Sequence, residues 1–90
     1  MAGFIVTWDV DSKDRAQCAR VRRFVFGETV VSKGRTYVYA GFVGREGVRY
    51  LGQSVLFVTR EQLSPLSRFL QARGVGFVVT EARLGGIVRV

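Results

Sequence analysis

Apolar and polar positions alternate over residues 4–10, with Phe4, Val6, Trp8 and Val10 on one side and Ile5, Thr7 and Asp9 on the other. A period of two in β-branched and aromatic residues predicts a strand, and the apolar content of both sides predicts a buried one. The period then lengthens. Asp11 or Ser12 is placed to cap a helix from Ser12 to about Phe26, with Cys18, Val21 and Val25 on one stripe and Lys13, Arg15, Arg20, Arg22 and Arg23 on the remaining arc. Gly27 is the expected stop. Residues 28–34 read as a connecting loop. Arg35–Val43 and Val48–Val58 read as two long strands joined in a hairpin across Gly44-Arg45-Glu46-Gly47.

Thr59 and Gln62 have the spacing of a capping box for a second helix, with Leu63, Leu66, Phe69 and Leu70 as its apolar stripe and Gly74 as its stop. Pro65 leaves two starts open. It stands at the first helical position behind Ser64, or it interrupts the early turns of a longer helix. Phe77–Arg83 predicts a fourth strand, and Gly85-Gly86 separates it from a short extra strand, Ile87–Val90. No repeat or low-complexity tract interrupts this order.

The predicted class is α+β. Strand, helix, strand, strand, helix, strand is the order of a ferredoxin-like βαββαβ sandwich, here expected as a single domain over residues 1–90 with a short C-terminal extra strand. Both helices would cover one sheet face. The other face would then bind a ligand or pack against a second copy.

Charge narrows the chemistry. The chain carries 14 Lys and Arg, of which 12 are Arg, against 7 Asp and Glu, for a net charge of +7, and it has no His. Without imidazole there is no His-based catalytic triad, no His-ligated zinc and no ordinary neutral-pH general base. Planar, permanently charged guanidinium groups suit phosphate, so a polyanion such as nucleic acid is the expected partner, with a merely solubilising surface as the plain alternative. The single Cys18 cannot form an internal disulfide, and no leader or long apolar stretch is evident. A cytoplasmic protein with no membrane partner is therefore expected. At 90 residues only about 60–65% of the extended surface is buried on folding, which makes a homodimer the expected assembly.

Three groups of residues could carry chemistry. Asp9 ends an apolar strand, whereas Asp11 and Asp14 stand where a cap and a first-turn acid belong. A carboxylate such as Asp9 suits Mg²⁺, which needs one or two protein carboxylates when phosphate oxygens complete its shell. Arg35, Tyr37 and Tyr39 share one strand face, and the expected hairpin would set Arg45, Arg49 and Tyr50 beside them. Arginine forks onto phosphate while tyrosine stacks on a base; equally, tyrosine is a good strand former and arginine shields an edge. Ser54 lies between apolar strand residues, where its hydroxyl either bonds locally or reaches a ligand, and no activating base is near it in sequence. An RNA-recognition motif shares the element order, but Arg49–Val58 lacks that motif's aromatic-Gly-aromatic core.

The chain resembles the small CRISPR-associated endonucleases that partner the spacer integrase. The likeness rests on Trp8-Asp9-Val10 closing the first strand ahead of a polar turn and basic helix, on Gln53-Ser54-Val55-Leu56-Phe57 leading into Thr59-Arg60-Glu61-Gln62-Leu63, and on the short tail Ile87–Val90. The stretch between the first helix and Gln53 is longer than that family's pattern. The resemblance implies a homodimer with two facing Asp9 carboxylates, a Mg²⁺ ion held by them and phosphodiester hydrolysis in DNA or RNA. It implies Ser54 as a contact to substrate or to the ion's ligands, and Arg15, Arg20, Arg22, Arg23, Arg35, Arg45 and Arg49 as grips on the backbone. It also admits scaffolding on DNA without cleavage. A non-enzymatic nucleic-acid-binding or regulatory dimer is the alternative.

Overall fold

A computed structural model describes residues 2–85 of the chain. Strand β1 (Ala2–Asp9) is followed by helix α1 (Arg15–Phe26), strands β2 (Gly27–Ser32) and β3 (Arg35–Ala40), and a single 3₁₀ turn at Phe42–Gly44. Strands β4 (Val48–Gly52) and β5 (Val55–Val58), helix α2 (Arg60–Ala72) and strand β6 (Gly76–Arg83) complete it. The class is α+β. The order matches a ferredoxin-like βαββαβ arrangement into which an additional hairpin, β2–β3, is inserted. The expected terminal strand Ile87–Val90 lies outside the described residues. Two compact units form, one from the residues up to Asp9 and those from Gly47 onward, the other from Val10–Glu46.

The first unit is an antiparallel sheet in the order β4-β5-β1-β6 accompanied by α2. Val6 stands opposite Leu56 on β5 and opposite Val79 on β6, so the central strand is paired along its whole length with β6 and over Phe4–Thr7 with β5. Val6, Leu56, Phe57 and Val58 are fully buried, as are Leu66 and Leu70 of α2. Each such side chain contributes roughly 1.5–3 kcal/mol through removal of apolar surface from water. Alternation puts Phe57 on the sheet face opposite to Leu56. Its ring lies over Gly3, where a Cβ would come within 2.5 Å of Phe57 Cζ.

Helix α2 starts at Arg60, so Pro65 lies inside it rather than at its first position. The missing amide leaves one turn without its bond near the start of the helix, where the buried stripe around Leu66 and Leu70 holds the backbone in place. The expected capping box does not form. Thr59 is the N-cap, but its side chain accepts no hydrogen bond from the first turn. Its backbone amide instead donates to the Gly47 carbonyl at 2.9 Å, and Gln62 Oε1 is buried without a partner among the described residues. At the other end Gly74, at φ 68°, makes a Schellman stop: Val75 N–H donates to the Leu70 carbonyl and Gly74 N–H to that of Gln71.

The second unit holds α1, β2, β3 and the 3₁₀ turn. Asp14 caps α1 by accepting from Gln17 N–H at 3.0 Å, so the helix begins three residues later than Ser12, while Asp11 Oδ1 accepts from Lys13 N–H at 2.9 Å. Val21 and Val25 are buried as their spacing requires. Phe24 stacks on Phe42 with centroids 5.1 Å apart. Gly27 ends α1 at φ 82° and begins β2 at once, so residues 28–34 are a strand and its turn, not a loop.

The pairing of the strands is the main correction. β3 pairs with β2 across Lys33-Gly34, both at positive φ, as a two-residue primed turn requires. The segment 44–47 joins two different ladders and closes no hairpin. Residues 48–58 are not one strand either: β4 and β5 pair with each other around Gln53-Ser54, with a register shift between Tyr50 and Gly52. Periodicity of two cannot report such a reversal, because both arms of a hairpin carry it.

Candidate functional site

Asp9 ends β1, opposite Gly76 of β6, and its side chain is exposed. Among the described residues no side-chain hydrogen bond or ion pair ties it down. Asp11 and Asp14, by contrast, are occupied by backbone amides: Asp14, expected as a first-turn acid, is the cap itself, and Asp11, expected as a cap, closes the turn before it. Ser54 is a turn residue with φ 61°, not a residue inside a strand. Its carbonyl accepts from Trp8 N–H at 3.2 Å, which sets the β4–β5 turn beside the end of β1 that carries Asp9. The structure thus brings Asp9 and Ser54 to one end of the sheet. Among the described residues no three Cys, Asp or Glu side chains converge as a metal-binding group.

The aromatic and basic residues divide between the two units. On the β2–β3 hairpin Arg35 stands opposite Ser32, Tyr37 opposite Val30 and Tyr39 opposite Glu28, so the three side chains share one face. Every residue of β3 is exposed, with Tyr37 at 44% and Tyr39 at 58%. The opposite face carries Val31 at 72% and Val38 at 75%. Arg49 and Tyr50 belong to β4, which pairs with β5, so the hairpin expected to align them with Tyr37 and Tyr39 does not exist. Arg45 lies with its Cζ 4.9 Å above the Phe42 ring, a cation–π contact that holds its guanidinium in one place.

Along α1, Arg15, Arg20, Arg22 and Arg23 are all exposed, as the amphipathic pattern requires. Arg23 Nε reaches Glu28 Oε1 at 3.4 Å, which joins the last turn of α1 to the base of the hairpin and offsets the one acid on the tyrosine face. Both partners are exposed, so the pair contributes little to stability.

The first unit also contains an open cleft of about 460 Å³ lined by Phe4, Arg60, Glu81 and Arg83, with Arg60 Cζ 5.7 Å over the Phe4 ring. Periodicity could not have found it, because its cations come from the start of α2 and the end of β6, elements separated in the sequence and brought together by the fold. No family model matches this chain, and no curated protein or solved structure matches it.

Proposed function

We propose that the protein binds nucleic acid through its second unit, with Arg35, Tyr37 and Tyr39 on the hairpin and Arg15, Arg20 and Arg22 on α1 as the contact groups. One observation carries this reading: two tyrosines, each about half exposed, share a hairpin face with a guanidinium in a chain of net charge +7. Exposed aromatic surface beside fixed positive charge suits a ligand that offers both π-faces and phosphates. Arg45 adds a cation in the same unit, and Arg49 and Tyr50 on β4 are further candidates. Binding that neutralises about six phosphates weakens by roughly 10³-fold between 50 and 200 mM salt through counterion release. Fluorescence anisotropy over that range tests the proposal, and a flat salt profile overturns it.

A second reading, metal-dependent phosphodiester hydrolysis by a homodimer, is favoured by Asp9, an exposed carboxylate with no partner among the described residues at the end of a central strand. Its oxygens suit Mg²⁺, whose remaining positions phosphate and water would fill, and the ion would supply an activated water. Asp9 would hold the ion and Ser54, at the neighbouring turn, would contact substrate. Asp9→Asn should abolish Mg²⁺-dependent cleavage of an oligonucleotide and leave binding intact, with light scattering reading twice the monomer mass. Undiminished cleavage, or a monomer, removes this second reading and leaves the first standing.

A further inference from the structure

We infer that the ligand of the hairpin face is a single strand, one of whose bases is held between Tyr37 and Tyr39. The inference rests on the proposed nucleic-acid reading and names the form of the polymer. Tyr37 and Tyr39 are alternate residues of one antiparallel strand and stand on the same face, which sets their Cα atoms about 6.8 Å apart. Strand side chains stand roughly perpendicular to the sheet, so both phenols rise from the same face with their bases about that far apart. Planar rings stack about 3.4 Å apart, the rise per base along one strand of a duplex, so two rings that turn face to face at this spacing accept one base plane between them.

The residues opposite the two tyrosines are Val30 and Glu28, neither of them aromatic. Neither phenol has a ring contact or hydrogen bond among the described residues. Arg35 is two residues further along the same face, toward the Lys33-Gly34 tip, where both cations can meet the flanking phosphate. The Arg23–Glu28 pair offsets the one negative charge on this face. Complementarity of charge and of π-surface therefore falls on one ligand class.

A duplex does not fit this geometry. Its bases present edges in the grooves and hide their faces in the stack, so reaching a base face first costs a few kcal/mol of unstacking and unpairing. A single strand offers its base faces freely. Recognition by stacking is also tolerant of sequence, because every base has a π-face.

The test is fluorescence anisotropy of the full chain with a labelled oligodeoxythymidylate of about 12 nucleotides, compared with a duplex of equal length. Wild type should bind the single strand at least about tenfold more tightly than the duplex. Tyr37→Ala and Tyr39→Ala should each weaken single-strand binding about 5- to 150-fold and leave duplex binding within about twofold. Tyr37→Phe with Tyr39→Phe should retain single-strand affinity, since the ring and not the hydroxyl makes the contact; this pair, with circular dichroism of every variant, separates lost stacking from lost folding. Equal affinity for duplex and single strand overturns the inference while the wider reading stands; alanine variants that bind like wild type overturn the inference and also remove Tyr37 and Tyr39 from the wider reading, leaving its arginine contacts to be judged by the salt profile. Failure of wild type to bind either oligonucleotide overturns both.

Discussion

At the scale of single residues, Gly27 and Gly41 decide whether the second unit can close. A Cβ on Gly41 would strike the backbone of Phe26 and Gly27, and one on Gly27, which is also at φ 82°, would strike the Tyr39 carbonyl. Two chain segments thus cross at backbone contact. Gly41→Ala is expected to lower stability by more than about 1 kcal/mol in urea unfolding, since neither neighbour is a side chain that can turn away. Ser54 is the opposite case. It occupies the left-handed region at φ 61°, so Ser54→Gly should raise stability by about 1 kcal/mol. The same variant separates a turn residue from a substrate contact: loss of oligonucleotide cleavage with gained stability would mark the hydroxyl as functional.

At the scale of elements, helical faces were legible and strand partners were not. Val21 and Val25 on α1, and Leu66 and Leu70 on α2, are buried where a period near 3.6 places them. That pattern depends only on a helix and the side it hides. Pro65 could not be placed from sequence because both starts satisfy the same periodicity. Its position inside α2 predicts that Pro65→Ala restores a backbone donor and raises stability by about 1–3 kcal/mol, read as a higher thermal midpoint. The β2–β3 hairpin has no buried residue on either strand, so its ladder is backed by little hydrophobic burial. Amide hydrogens of β2 and β3 should therefore exchange well before those of β1 and β5, which hydrogen-exchange mass spectrometry resolves directly. Its turn was present in the letters Lys33-Gly34, but a lysine at a left-handed position is a weaker signal than Asn-Gly, and Gly44–Gly47 competed with it.

At the scale of the whole molecule the governing quantity is a net charge of +7. Self-repulsion opposes the compact state while phosphate relieves it, so salt should act in opposite directions on the two properties. Raising sodium chloride from low concentration is expected to increase the thermal midpoint of the free protein and to weaken its hold on an oligonucleotide. Scanning fluorimetry with and without oligonucleotide checks both trends in one series. If binding strengthened with salt, contacts to phosphate would not be its source. No described helix is long and apolar enough to cross a membrane.

What the sequence by itself determined is the α+β class, the two helices with their buried sides, the basic character and the prominence of Asp9 and the two tyrosines. These follow from local periodicity and from charge, which need no knowledge of distant contacts. Only the tertiary structure decided that β3 turns back onto β2, that β4 and β5 split around Ser54, and that the sheet runs β4-β5-β1-β6. Strand partners are chosen by contacts between residues far apart in the chain and by the handedness of the turns between them, and alternation is the same whichever partner is taken. That choice separated Tyr37 and Tyr39 from Arg49 and Tyr50, and it left two phenol rings exposed on a ribbon of their own.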